Sequence, residues 1–332
     1  RREIIQYSDI MTNIAILTGG DSEERVISLK SGQVVRDHLP KDRYRSFLID
    51  IQKADWRELE SGVQVDKNDF TLTLDGEKIR FDCAFAALHG APLEDGKMQG
   101  YLDMLGIPYT CCDGYVSALT MNKHNTKMQL AQYGNVPMAR SVLLQKGGQM
   151  DMEALKSLGL PLFVKPNTHG SSFGVTKVKS ADALLPAIEE AWRFDREAVV
   201  ESFLPGREFS NGVLRVKGEV LVLPVTEIIP ETEFFDFAAK YEGKSQEITP
   251  ADLSPELTRQ CRKWRVPVST IATWYWLQQS MPSWSRMLPP GWTMAPMPAW
   301  HAFSMESPHA KGKKASLART APATSSPAFS MA

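Results

Sequence analysis

The sequence predicts an α/β protein whose N-terminal part is an open, mostly parallel sheet. Three observations carry this. An apolar strand, NIAILT (Asn13–Thr18), ends in Gly19-Gly20 and is followed by a helical stretch and a second strand, YRSFLID (Tyr44–Asp50). That β-loop-α-β order favours parallel pairing. A third apolar run, CAFAAL, stops abruptly at His89-Gly90. Further on, LPLFV leads straight into KPNTHGSSFG, a lysine and proline followed by small polar residues. Open sheets of this class usually place ligands at the loops after strand C-termini.

Each element follows in order. Ser28 to Leu39 reads as the first helix. Asp75-Gly76 sits between two alternating runs and predicts a hairpin turn. Gly96–Leu105 reads as a helix and GIPYTC as a short strand. Residues 114–133 read as one long helix carrying Lys123 and Lys127. A strand around Met138–Leu144, a helix near 151–158, the LPLFVK strand and a returning GVTKV strand come next. AVVESFL (Ala198–Leu204) is another buried strand, and 208–228 is a hairpin turned at Lys217-Gly218. The mixed segment 230–249 has few core signals and reads as a lid-like loop.

Composition narrows the function. The chain has 332 residues, room for two or three domains, and a formal net charge of −1. That balance points away from nucleic acid. No apolar run is long enough to span a bilayer, so no membrane association is expected. The N-terminal RREIIQYSDI is too polar for a signal peptide. The four cysteines form no CxxC pair, which fits a reducing cytoplasm. The charge pattern breaks sharply, however. Beyond Arg265 the only acidic residue is Glu306, while nine of the 21 prolines and five of the eight tryptophans lie there.

The loop after Lys165 has the makings of a phosphate cradle. Glycines allow close backbone approach, successive backbone N–H groups hold anions, and lysine adds a point charge. Taken alone, it reads rather as an ordinary surface loop, since it has neither the P-loop spacing nor GxGxxG. Other parts of a nucleotide site follow in a sensible order: Lys123 on a helix, Glu201 at a strand end, and Glu208 seven residues later. Singly, Lys123 reads as a solvated helix lysine and Glu208 as a surface acid.

The chain resembles D-alanine–D-alanine ligases of the ATP-grasp superfamily. The resemblance rests on GGDSEERVISLKSG, LHGAPLEDGKMQGYLDMLGIPYTCC, SALTMNKHNTK, VKPNTHGSSFGVTKV, VVESFLPGREFSNGVL and FFDFAAKYEGKSQEITP, over residues 13–264. It implies an ATP-grasp fold with an incomplete C-terminal lobe. It also implies ATP-dependent joining of two D-alanines through an acyl phosphate, for peptidoglycan synthesis. The domains expected are an N-terminal extension (1–12), a substrate domain (13–112), a central ATP-grasp lobe (113–197), a partial C-terminal lobe (198–264) with its lid at 230–249, and an anomalous tail (265–332).

Site roles are likewise implied by the resemblance. Glu24 would hold the first substrate's ammonium, Ser171 would bond Glu24 and a lid tyrosine, and Tyr241 would be that tyrosine. On sequence alone, Glu24 also reads as a helix-start acid favoured by the macrodipole. Lys123, Lys165 and Ser172 would contact ATP phosphates, and Lys240 would reach ATP from the lid. Glu201, Ser202, Phe203 and Leu204 would line adenine, and Glu208 would take the ribose. His89 would lie near the first substrate's carboxylate, although a capping histidine is nearly as good a reading. Two departures stand out. Val26 replaces a second acid, which points to an effect on helix packing, and Ala91-Pro92-Leu93 is stiffer than the family's glycine-rich segment. The family also implies magnesium or manganese and a homodimer.

The family's metal-binding Arg-x-Asp and Glu-x-Asn segments have no counterpart here. The last Asp is Asp252 and the last Asn is Asn211, so no metal ligand can be assigned after Trp264. Tryptophan and methionine cannot replace carboxylates around a hard cation. A reading-frame change near codon 264 is the favoured explanation. A genuine lineage-specific tail, or ligands drawn from Glu227, Glu231 or Glu233, are the alternatives. The expected activity is therefore that of an impaired or inactive ligase, with a non-catalytic ATP or D-alanine binder, or another ATP-grasp carboxylate–amine ligase, as rivals.

Overall fold

The computed structural model describes residues 11–132, 136–216, 219–231 and 244–262. The chain begins with a four-stranded sheet in the order β3-β2-β1-β6. Strands β1 (Thr12–Gly19), β2 (Tyr44–Gln52) and β6 (Cys83–Ala86) run parallel, as the β-loop-α-β order predicts. A short strand the sequence did not announce, β3 (Asp55–Glu58), pairs antiparallel with β2. The centre of β1, Ile14–Leu17, is apolar without alternation because it is buried on both faces. Ala15 and Leu17 pack with Phe70, Phe81, Met98 and Leu102 on one side. Ile14 and Ile16 pack with Leu48, Val35 and Leu39 on the other.

Helix α1 (Arg25–His38) crosses from β1 to β2, three residues earlier than its apolar pattern suggests. The hairpin of β4 (Thr71–Leu74) and β5 (Glu77–Arg80) turns at Asp75 and Gly76, with φ of 49° and 83°. Positive φ at both central residues is what a two-residue hairpin turn requires. Helix α2 (Lys97–Leu105) ends at Gly106 in the left-handed conformation. The predicted GIPYTC strand is reduced to one bridge, between Ala84 and Tyr109.

The long helix expected over 114–133 is two helices, α3 (Gly114–Met121) and α4 (Lys123–Ala131). Asn122 interrupts them with ψ at 105°, and its side chain accepts from Asn125 N at 2.8 Å. The break has a tertiary cause. The first amides of α4 donate to Asn167, from Lys123 N to its carbonyl at 3.0 Å and from His124 N to its Oδ1 at 2.9 Å. An unbroken helix would have spent those donors internally.

A second sheet, in the order β7-β10-β8-β9, is wholly antiparallel. It comprises β7 (Ser141–Gln145), β8 (Leu162–Pro166), β9 (Thr176–Val178) and β10 (Glu197–Ser202). One face carries Leu144, Leu162, Val164, Val178, Ala198 and Val200. It packs on Leu155 of helix α5 (Met152–Ser157) and on Ala187, Ile188 and Ala191 of helix α6 (Leu184–Phe194). The opposite face bears Phe163, Lys165, Lys177 and Glu201, because side chains alternate along each strand.

A third sheet joins β11 (Glu208–Val216), β12 (Glu219–Pro230) and β13 (Ser245–Ile248). The expected hairpin is present, although its turn, Lys217-Gly218, lies outside the described residues. Both ends of the expected 230–249 loop are instead strand: Pro230 pairs with Ser245 and Glu227 with Ile248. Among the described residues no helix is long and apolar enough to cross a membrane.

Candidate active site

The loop after β8 is held on every side. Asn167 is fully buried and donates from Nδ2 to Glu197 Oε2 at 2.6 Å. Thr168 donates from its amide and hydroxyl to Asp195 Oδ2, at 2.6 and 2.8 Å. Lys123, itself buried, donates from Nζ to the carbonyl of His169 at 2.6 Å. Beyond these anchors the chain takes an unusual path. Ser171 and Ser172 have φ of 48° and 62°, followed by Gly174 at 66°. Left-handed backbone at two serines costs roughly 1–2 kcal/mol each, and such conformers persist where surroundings over-determine them. The conformational freedom expected from glycine is thus supplied partly by strained serines.

Lys123 was expected at a phosphate. Its ammonium is directed at the loop's own carbonyls, so it supports the cradle from behind. Ser172 lies within the turn, where its carbonyl accepts from Val175 N at 3.3 Å.

Glu24 meets this loop from the other side. It sits at the N-terminus of α1, only 4% exposed. Ser171 Oγ donates to Glu24 Oε1, across 147 residues of sequence. Glu24 Oε2 is buried with no hydrogen-bond partner among the described residues. Two glycines close on this carboxylate: a Cβ at Gly90 or at Gly170 would come within 2.9 Å of Oε2. A cavity of about 440 Å³ opens beside it, lined by Asp21, Ser22, Glu24, Gly90, Thr168 and His169 among others. A buried carboxylate with one satisfied oxygen and one orphan is a site built for a cation. Val26, by contrast, is 59% exposed, so its departure from the family pattern does not enter helix packing.

His89 stands behind Glu24. Its Nε2 is 3.0 Å from Ser31 Oγ, and its backbone amide donates to Ser28 Oγ at 2.9 Å. Burial lowers the imidazole's pKa, with Glu24 pulling the other way. The ring is therefore held toward its neutral form. Glu94, which the sequence reading passed over, is pushed up to about 8 by burial, and then by the charge of Glu24. That places a carboxyl held toward its neutral form beside Glu24. Its only sequence signal is the pair of acids in PLEDG, a pattern indistinguishable from a surface turn.

The polar face of the second sheet makes the other half of the site. Lys165 Nζ donates to Glu201 Oε2 at 2.6 Å, and Lys127 Nζ, from α4, donates to Oε1 at 2.8 Å. Burial pushes the Glu201 carboxyl up, but Lys165 and Lys127 together hold it below the usual range. Lys127 was missed as a site residue, although its position four residues after Lys123 puts both on one helical face. Phe163 and Phe203 lie with ring centroids 6.1 Å apart, and Lys177 Nζ sits 4.3 Å from the Phe203 centroid. The backbone amides of Ser202 and Phe203 donate to Arg140 and Pro161 carbonyls, at 3.0 and 3.2 Å. Leu204 is 63% exposed, and Glu208 is exposed at the start of β11. The structure thus brings together Glu24, Ser171 and His89 in one group, and Lys165 and Glu201 in another. Lys240 and Tyr241 lie outside the described residues.

Of the alternative metal ligands, Glu227 is taken. Arg207 donates from Nε to its Oε1 and from Nη2 to its Oε2, both at 2.6 Å. Glu231 contributes a backbone amide to Lys244 O, and Glu233 lies outside the described residues. Among the described residues no three His, Cys, Asp or Glu side chains are grouped to hold a metal ion.

Comparison with known proteins bears on the whole arrangement. The family model for the D-ala D-ala ligase N-terminus matches residues 13–112, and that for the D-ala D-ala ligase C-terminus matches 125–272. The second match runs eight residues past the point where the sequence resemblance was expected to stop. A D-alanine–D-alanine ligase of Flavobacterium johnsoniae is 51% identical over 254 residues, covering 75% of this chain and 78% of that protein. The crystal structure of D-alanyl-alanine synthetase A from Vibrio cholerae superposes with a TM-score of 0.69 at 26% identity, over 78% of this chain and 80% of that one. The D-alanine–D-alanine ligase of Bacillus anthracis complexed with ATP gives a TM-score of 0.59 at 29% identity, over 77% and 76% of the two chains. With matched family models over both parts, an ATP-grasp architecture and a relative at this identity, the chain belongs to the D-alanine–D-alanine ligase family.

Proposed function

We propose that this chain carries the D-alanine- and ATP-binding site of a D-alanine–D-alanine ligase, an ADP-forming enzyme of peptidoglycan synthesis. The observation that carries the reading is Glu24 Oε2, a buried carboxylate oxygen without a partner among the described residues, beside a cavity and against the Gly170–Ser171 backbone. Glu24 takes the ammonium of the first D-alanine, and Ser171 fixes the carboxylate's orientation. His89, held toward neutrality, sits where it can donate a hydrogen bond to the substrate carboxylate without adding a full charge. Lys165 and Ser172 face ATP phosphates, with Lys123 supporting the loop from behind. Glu201 to Leu204, with Phe163, form the adenine wall, and Glu208 takes the ribose. Lys240 and Tyr241 would complete the lid. In the reaction, a carboxylate oxygen of the first D-alanine attacks the γ-phosphorus and ADP leaves. The amine of the second then attacks the acyl phosphate and phosphate departs. Positioning and exclusion of water carry most of the work.

Magnesium, which the family uses, does not fit the residues at hand. The described residues offer no ligand cluster, Glu227 is locked to Arg207, and no Asp or Asn follows Asp252. No step is assigned through the metal, and the 332-residue chain is proposed to bind ligands with little or no turnover. The domain limits proposed are those of the sequence reading, 13–112, 113–197 and 198–264. A cytoplasmic location and a homodimer follow from the family. A second reading, a non-catalytic binder, is favoured by that same missing ligand set.

The test is calorimetric titration with D-alanine and ATP beside an assay for ADP release. D-alanine binding that Glu24→Gln abolishes, without turnover, is the expected result. Unchanged binding in Glu24→Gln removes this carboxylate from the site. Turnover of about 1 per second or faster would overturn the loss of function and send the search for metal ligands upstream.

A further inference from the structure

His169 occupies a position no family motif assigns. Its Nε2 lies 2.9 Å from Glu23 Oε2. A carboxylate only accepts, so Nε2 carries the proton and donates. The ring also packs against two phenylalanines that touch each other, with centroids 6.0 Å from Phe173 and 5.5 Å from Phe194. Its own carbonyl accepts from Lys123 at 2.6 Å. The residue is therefore fixed at three points before it reaches Glu23.

What matters is where this link stands. Glu23 and Glu24 are neighbours at the start of α1, and His169 and Ser171 are two residues apart in the loop. Two links thus cross the same gap side by side: Glu23 to His169, and Glu24 to Ser171. Glu24 and Ser171 by themselves are joined through one hydroxyl, which can rotate. A second, parallel link removes that freedom and fixes the loop's distance from α1. Gly170, between the two, has its Cα close enough that a Cβ would meet Glu24 Oε2 at 2.9 Å and Oε1 at 3.0 Å. Small changes in loop height would therefore alter the space around Oε2.

We propose that His169 and Glu23 form a positioning clasp that sets Ser171 and Gly170 against Glu24, and so governs D-alanine affinity. In this role His169 acts through Glu24. The affinity part of this rests on Glu24 holding the D-alanine ammonium; the clasp itself does not.

Three variants of the full chain separate donor from packing. His169→Phe keeps a ring against Phe173 and Phe194 but removes the donor. His169→Gln restores a donor without the ring. Glu23→Gln removes the charge on the other side. D-alanine affinity is read by calorimetry, and hydrogen exchange is followed at the amides of residues 167–174. His169→Phe is expected to weaken D-alanine binding and speed loop exchange by about three- to fivefold, the scale of one partly exposed hydrogen bond. His169→Gln should recover most of both, and adding Glu23→Gln to His169→Phe should change nothing more. A His169→Phe protein with wild-type affinity and exchange overturns the clasp and leaves only packing. If Glu24→Gln also leaves D-alanine affinity unchanged, the ammonium assignment fails, and loop exchange alone then decides whether the clasp exists.

Discussion

Lys165 donates to Glu201 at 2.6 Å from the neighbouring antiparallel strand, so two residues expected to grip different parts of a nucleotide grip each other. Lys127 completes the group from α4 at 2.8 Å. All three side chains are less than a quarter exposed. A carboxylate between two ammonium groups is well compensated, but either lysine without it is not.

Glu201→Leu should therefore be costly to the fold. It leaves two ammonium groups without their anion in a partly dry setting. Removing one partner of a fully buried pair costs about 3–5 kcal/mol, and partial exposure here lowers the expectation to about 2–3 kcal/mol. Urea unfolding measures it. A loss under about 0.5 kcal/mol would mean that water already solvates the lysines.

Lys165→Ala and Lys123→Ala should separate ligand binding from support. Lys165→Ala should weaken ATP binding by about 2–5 kcal/mol, with the Lys127–Glu201 pair intact. Lys123→Ala strips the loop carbonyl of His169 of a charged donor and should destabilise the protein by about 1.5–3 kcal/mol. Titration with ATP and urea unfolding, run on both variants, check the contrast. Equal effects on both readouts would place the two lysines in one role.

Gly170→Ala tests the close approach at Glu24. The added methyl would lie within about 3 Å of both carboxylate oxygens, so the loop or Glu24 has to move. D-alanine binding should weaken about tenfold, or about 1.4 kcal/mol. An unchanged dissociation constant would mean that the carboxylate yields without consequence.

Glu94 should give the fold an unusual pH slope. Its ordinary value is 4.5 and its folded value about 8, raised by burial and by Glu24. The unfolded chain releases this proton first, so the group's contribution is complete below pH 4.5. It falls away as pH rises toward about 8 and is flat above. The span is on the order of 3–5 kcal/mol. Glu94→Gln should abolish this slope while leaving stability at pH 4.5 nearly unchanged. Urea midpoints at pH 5 and pH 8, for wild type and variant, are the measurement. Parallel pH profiles would exclude a raised Glu94.

Local features of the chain were legible without its structure. The unbroken apolar run of β1 announces burial on both faces, and Asp75-Gly76 announces its turn through backbone preference alone. Family motifs marked Glu24, Ser171, Lys165 and Glu201 as site residues. Their partners were a different matter. The break between α3 and α4 looks like continuous helix in sequence, because its cause, Asn167, lies 43 residues from His124. The Lys165–Glu201 pair depends on which strands are neighbours, since the antiparallel register sets Val199 opposite Lys165 and Glu201 opposite Phe163. The buried oxygen of Glu24, the raised pKa of Glu94 and the His169–Glu23 link exist only where folding brings separate segments together. Sequence by itself determined the residue types, the periodicities and the family; tertiary structure decided which charges meet and which protons stay. The reason is physical: propensity acts over a few neighbouring residues, whereas desolvation and hydrogen-bond pairing depend on atoms that only folding brings within reach.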